Sequence, residues 1–222
     1  MIKKGEPWGH APSGPADQVV DGDDVALARA VARAPHPRLW FRPTEGSDFA
    51  KSVGIAVGAH PERATAELPC DILTGRLDDR EVVAVNMIVV GAAPDRQVWR
   101  SRDARLRVHV DGRELHDGPA TAVVIANGQY LRGADVVPRG HPGDARVEVH
   151  VYTLGRGERR AMRSRLATGR HVPHPRIAVA SGRRVVVEGA NAPIPVEIDG
   201  ARAGSAGRLE IEVTPGAFSL LV

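Results

Sequence analysis

The sequence predicts an α+β protein that is mainly β, with a small α/β segment over residues 1–80 followed by a β-sandwich over 81–222. Three observations predict it. From Glu81 onward, about eight to ten short apolar runs are broken by Gly, Pro, Asp-Gly and Asn-Gly turns, a spacing that fits a sandwich or barrel rather than a parallel sheet. Before residue 80, by contrast, helix-type patterns alternate with a short strand. Hydrophobic residues make up 42% of the chain and aromatics only 4%, so the core is built mostly of Val, Ala, Leu and Ile.

The elements follow in order. Residues 1–17 are rich in Pro and Gly and read as an arm with Trp8 as its anchor. GDDVALARAVARA (22–34) reads as a helix: Asp23 or Asp24 caps it, and Val25, Leu27, Ala28, Val31 and Ala32 fall near one face. Pro35 and Pro37 end it. RLWF (38–41) is a short strand, and PTEGSDFAKSVG (43–54) is a turn leading into a helix capped by Ser47 or Asp48. ATAEL (64–68) reads as helical. EVVAVNMIVVG (81–91) reads as one apolar strand covered on both faces. ARLRVHVDGREL (104–115) alternates Leu106, Val108 and Val110 with polar partners, and Asp111-Gly112 makes a tight hairpin. ATAVVIANGQYL (120–131) places Asn127-Gly128 in another turn. ARVEVHVYTL (145–154) alternates Val147, Val149 and Val151, which puts His150, like His109, on a polar face. Residues 156–170 are the one helix expected here, ending at Gly169. IAVASGRRVVVEG, PIPVEIDG, RLEIEVTPG and AFSLLV supply four more strands.

Charge and composition exclude several classes. There are 30 basic and 27 acidic residues, with 20 basic against 15 acidic in 81–222. Nearly all the cations are Arg, a bias of a GC-rich bacterial genome; a nucleic-acid partner would need a denser basic stripe interleaved with aromatics. The single cysteine, Cys70, forbids an internal disulfide framework, points to a reducing cytoplasm, and reads as a buried small hydrophobe. No stretch approaches a membrane-spanning length, and the basic pair near Met1 has no apolar run behind it, so neither a span nor a signal peptide is expected. No P-loop signature occurs. His171 and His174 lack an obvious third zinc ligand and read as turn or packing residues.

Four segments of the second part, in order, resemble the diacylglycerol kinase / sphingosine kinase superfamily. ANGQYLRGADVVP (126–138) is similar to the family's Ala-Asn-Gly-Arg-Tyr-x-Gly-Gly-x-x-x-x-Pro segment, and GRHVPHPRIAV (169–179) to its Gly-x-His-x-x-His-Pro segment. PVEIDGARAG (195–204) resembles Pro-Val-x-x-Asp-Gly-Glu, and EIEVTPGAFSLLV the closing strands. The resemblance implies that 81–222 is the family's C-terminal β-sandwich lobe. It implies that 1–80 is a reduced, degenerate nucleotide lobe. There TEGSDFAKSVG (44–54) resembles Gly-Thr-Gly-Asn-Asp-Phe-Ala-Arg-x-x-Gly, keeping Gly46, Asp48, Phe49, Ala50 and Gly54 but with Glu45 for Thr and Ser47 for Asn. VVDGDDVALARAV (19–31) resembles the Gly-Gly-Asp-Gly-Thr loop, keeping Gly22 and Asp23 but with Asp21, Asp24 and Val25 at the other positions. On this alignment at least one βαβ unit of the family is absent before residue 20, and a homodimer or partner chain is one way to supply it.

The resemblance implies ATP-dependent phosphorylation of a lipid hydroxyl with Mg²⁺. Gly22, Asp23, Gly46, Ser47 and Asp48 would then lie near nucleotide and metal. The departures weaken or abolish that activity. A carboxylate about 5 Å from one phosphate charge costs roughly 3 kcal/mol at an effective dielectric near 20, and Asp21, Asp24 and Glu45 bring three. Mg²⁺ between them and the phosphates would relieve this. The family's hydroxyl-activating Glu is Ala201 here, leaving Asp199 or Glu197, two apart on one strand face, as substitute bases or as solvent-facing carboxylates. Asp144 stands where bacterial members carry a metal-binding Asp-Asp-Gly segment, with Ala145 for the Gly. The six Arg of 156–170 suit peripheral contact with an anionic membrane. The alternative is a non-catalytic relative that binds a lipid, a nucleotide or a protein.

Overall fold

The structure, a computed structural model, describes residues 8–58, 64–97 and 101–222. Strand β1 (Gln18–Gly22), helix α1 (Asp24–Val31), β2 (Arg38–Pro43) and α2 (Asp48–Val53) form the first part. There follow β3 (Glu67–Leu77), β4 (Arg80–Ala84), β5 (Met87–Gly91), β6 (Ala104–Val110), β7 (Arg113–Ala120) and β8 (Ala122–Ala126). Next come the short β9 (Tyr130–Leu131) and β10 (Ala134–Asp135), β11 (Val147–Tyr152) and helix α3 (Glu158–Leu166). The chain ends with β12 (Ile177–Gly182), β13 (Arg184–Gly189), β14 (Ile194–Ile198), β15 (Ala201–Ala206) and the long β16 (Arg208–Leu221).

Two large sheets face each other. One runs β1-β2-β16-β13-β6-β7, with β3 paired to β16 and β4 to β3; the other runs β12-β11-β8-β5-β14-β15. The core between them is mostly Val, Ile and Leu: Leu73, Leu106, Val108, Val185, Val187, Leu209 and Ile211 from the first meet Ile88, Val90, Val123, Ile125, Val149 and Val196 from the second. This is the mainly β sandwich that the turn spacing predicts.

The outer face of the second sheet is also covered. Met87, Val89, Val124 and Tyr152 pack beneath Leu131, Val136, Val137, Met162 and Leu166. β5 and β8 are therefore apolar on both faces, as the unbroken run Met87–Val90 requires. The same cover corrects the expectation for His150, which is 3% exposed: the face opposite the valines is roofed by α3 and the 131–137 segment.

A third core joins the first part to the sandwich. Leu27, Val31, Leu39, Phe41 and Phe49 pack on Leu68, Cys70, Ile72, Phe218 and Leu220. β3 and β16 serve both cores, with their 68–72 and 217–221 ends in one and their 73–77 and 209–213 ends in the other. Residue 80 opens β4, the hairpin partner of β3, so β3 belongs to the large sheet although it precedes that position.

Four other local expectations differ from the structure. β1 was hidden because only Val20 of its five residues is buried, which leaves no alternation to read. Residues 67–68 are strand, not helix: pairing with β16 and the alternate burial of Leu68, Cys70 and Ile72 override a helical propensity. The 81–91 run is two strands, because the chain leaves one sheet at Ala84 and enters the other at Met87. The last two expected strands are one, with a register shift between Thr214 and Phe218 around Pro215-Gly216. Trp8 anchors the arm as expected, its Nε1 donating to the Pro69 carbonyl at 3.0 Å.

Candidate functional site

The N-termini of α1 and α2 meet. Gly22 ends β1 at φ 137°, and a Cβ there would lie 2.8 Å from Ala26 Cβ. Asp23 caps α1, accepting from the Ala26 amide at 2.9 Å. Ser47 caps α2, its Oγ accepting from the Ala50 amide at 3.1 Å. The same hydroxyl donates to Asp24 Oδ1 at 2.5 Å, while Asp24 Oδ2 accepts from the Phe49 amide at 3.0 Å. Asp24 and Ser47 are two of the departures from the resembled segments, and they bond to one another. Asp21 is drawn sideways to Arg42 at 2.6 Å, and Glu45 and Gly46 are exposed.

Asp48 faces the sandwich. Its carboxylate accepts from the amides of Arg132 and of Gly133, the latter at 2.7 Å, the two residues that turn between β9 and β10. Both have positive φ, 48° and 76°, so the second position suits Gly and the first forces a large side chain into the left-handed region. α2 adds two further ties: Lys51 Nζ donates to the Gly133 carbonyl at 2.9 Å and lies 4.1 Å over the Tyr130 ring, and Ser52 Oγ accepts from the Gln129 amide at 3.0 Å. The segments 44–54 and 126–138 therefore interlock. Gly128 is required in that joint, since a Cβ would lie 2.1 Å from Asn86 Oδ1.

Asp199 and Glu197 do not share a face. Asp199 lies in the turn after β14 at φ 49°, and its carboxylate accepts three amides where the chain crosses between sheets: Val85 and Met87 at 3.0 Å and Asn86 at 2.9 Å. A register shift between Val196 and Glu197 turns Glu197 the other way, onto Arg132 Nη1 at 2.8 Å. Arg132 also holds Asp95 in two bonds of 2.7 Å. Nothing in the periodicity marked Arg132. The signal was its place at the first Gly of the Gly-Gly pair in the resembled segment.

Burial raises the carboxyl of Asp24 to about 6, with the charges of Asp48 and Asp23 adding to it and the Ser47 and Phe49 bonds opposing. Burial likewise raises Asp199 to about 7, opposed by its amide bonds and reinforced by Asp24. A group whose folded pKa is raised contributes stability below its unfolded value and loses it as pH rises through the folded one. Relative to the Asp24→Asn variant, the wild type therefore loses up to about 3 kcal/mol of stability between pH 4 and pH 7. Urea melts of both proteins across that range check this; a constant difference would contradict it.

Asp144 lies elsewhere. Its Oδ1 accepts from the Arg146 amide at 3.0 Å, and burial raises its pKa and those of Asp71 and Glu148 nearby. Among the described residues no group of three or more His, Cys, Asp or Glu is placed to hold a metal ion. Of the six Arg in 156–170, Arg159 is buried against the Leu154 carbonyl and the Asp103 carboxylate, and the other five are exposed. Among the described residues no helix is long and apolar enough to cross a membrane. His171 is buried and its Nε2 lies 2.8 Å from the Val136 carbonyl, a packing role.

A cleft of ≈ 440 Å³ opens beside this site. α1 forms one wall with Val25 and Ala28, β4 the floor with Val82 and Val83, and the β14–β15 hairpin the other wall with Ile198 and Ala201.

Residues 76–222 match the family described as the YegS C-terminal NAD kinase beta sandwich-like domain. Among solved structures, a diacylglycerol kinase from Bacillus anthracis str. Sterne is similar at TM-score 0.72 and 16% identity, over 92% of this chain and 76% of that one. Yeast NADH kinase complexed with NADH is similar at TM-score 0.52 and 13% identity, over 93% of this chain and 61% of that one. At these identities the likeness is one of fold. No curated protein matches the chain in sequence.

Proposed function

The chain belongs to the YegS C-terminal NAD kinase beta sandwich-like domain family, and on that premise we propose a diacylglycerol-kinase-like protein in which ATP-dependent phosphorylation of a lipid hydroxyl is lost or strongly weakened. It retains lipid binding in the cleft beside α1. The observation that carries this reading is the bond between Asp24 and Ser47. At positions where the resembled loops carry Gly and Asn, a carboxylate and a hydroxyl close on each other. The residues kept from those loops, Asp48 with Phe49 and Ala50, are buried in the joint with the sandwich. Three of the changed positions, Asp21, Glu45 and Ala201, are exposed.

Mg²⁺–ATP is a poor fit to this loop. Asp23 is engaged in capping, Asp24 turns inward, Asp21 is paired with Arg42, and Glu45 adds an exposed carboxylate to the loop. Phosphoryl transfer depends on backbone amides, cations and a base placed at the reacting groups. At the base position Ala201 offers no carboxylate, and Asp199 is held by three amides.

A thermal-shift titration tests the reading. A site with a Kd of about 10 μM would add roughly 2.7 kcal/mol at millimolar ligand, a rise of roughly 5–10 °C for a chain of this size. The expected rise with Mg²⁺–ATP is under about 1 °C, and a saturable rise of several degrees would count against the proposal.

A further inference from the structure

We propose that the cleft beside α1 binds an amphiphile that already carries a phosphomonoester, a single aliphatic chain ending in phosphate, rather than a neutral lipid alcohol. This rests on the reading above and names the ligand of the same cleft. Its volume, ≈ 440 Å³, lies within the range of roughly 300–1,000 Å³ usual for ligand clefts. The walls are aliphatic: Val25, Ala28, Val82, Val83 and Ile198. They suit a hydrocarbon chain.

The rim is cationic. Arg29 on α1, Arg80 at the start of β4 and Arg202 on β15 line it, all three exposed. Among the described residues the guanidinium groups of Arg29 and Arg202 make no hydrogen bond or ion pair, whereas Arg80 donates to the Ala203 carbonyl. The exposed acidic group at the rim is Glu81; Asp199 is buried behind it against three backbone amides. Ala201, beside Arg202, contributes no charge of its own. Two unpartnered guanidinium forks line the cleft, and such forks suit a phosphomonoester, which accepts paired N–H donors in the way a carboxylate does. A neutral hydroxyl offers these cations no charge to pair with, so the charge balance favours the anionic headgroup.

Isothermal titration calorimetry of the full chain with n-decyl phosphate, kept below its micellar concentration, tests the proposal. n-Decanol and inorganic phosphate are the comparison ligands. Saturable binding of decyl phosphate at one site is expected. The Arg29→Gln/Arg202→Gln double variant, altered only at exposed side chains, is expected to bind about tenfold or more weakly, the worth of one charge-assisted pair. Ala201→Glu, which adds a carboxylate to the rim, is expected to weaken binding as well. Equal binding of decanol, binding of inorganic phosphate as tight as that of decyl phosphate, or unchanged affinity in the double variant would overturn it. Transfer of label from ATP to lipid would instead sink the reading of lost catalysis and leave the headgroup preference standing, so the two failures are distinguishable.

Discussion

Replacing Asp199 by Ala is expected to lower stability by about 4 kcal/mol, roughly 10 °C in Tm. The side chain lies at the inner edge of the cleft beside α1. It reaches from the β14–β15 turn into the point where the chain crosses from one sheet to the other, and there it satisfies the amides of Val85, Asn86 and Met87. Val85 and Asn86 lie between the end of β4 and the start of β5, and Met87 opens β5. Each buried amide left unpaired costs about 1–3 kcal/mol. Asp199→Asn is expected to cost less. Its amide oxygen retains the Asn86 and Met87 bonds, and its NH₂ faces only the Val85 amide. Denaturant melts of both variants check the order. A loss below 1 kcal/mol for the alanine variant would mean that water replaces the carboxylate and that Asp199 is not a fastening of the crossing.

Arg132→Met is expected to cost about 3 kcal/mol. The guanidinium sits between Asp95 and Glu197, and the three side chains are only 21%, 15% and 22% exposed. Removing it leaves two partly desolvated carboxylates facing each other. The β9–β10 turn itself should persist, because Asp48 holds its amides and not its side chain. Adding Glu197→Gln to the Met variant should therefore restore part of the loss, since it removes one of the two stranded charges. A strictly additive cycle would show that Arg132 and Glu197 act independently, contrary to the 2.8 Å contact.

The sandwich was legible in the sequence because its signals are local. Val147, Val149 and Val151 alternate, Asp111-Gly112 turns a hairpin, and Met87–Val90 is apolar throughout; each reports its own surroundings within a few residues. What was not legible depends on partners far along the chain. β1 shows one buried side chain and is a strand only because β2 lies beside it. The 81–91 run breaks because a carboxylate 112–114 residues later captures its amides. His150 is buried because α3 folds over a face that alternation alone assigns to solvent.

The site divides the same way. Asp23 or Asp24, and Ser47 or Asp48, were identifiable as caps from their place before apolar helical runs, and the structure uses Asp23 and Ser47. The meeting of Asp24 with Ser47, 23 residues apart, was not. Read separately, the two are a misplaced negative charge and a conservative polar change. Bonded together, they are one feature that seals the loop from within. Glu197 and Asp199 illustrate the reverse error: a spacing of two implies one strand face, but the register shift at Val196 and the turn at Asp199 send them to different partners.

We propose that a kinase-like fold persists here without lipid-kinase turnover. The most direct measurement is transfer of label from γ-labelled ATP, with Mg²⁺, to a mixed lipid extract containing diacylglycerols. The wild-type chain is expected to give no labelled lipid above a protein-free blank. Labelled lipid that increases in proportion to the amount of chain added would contradict it.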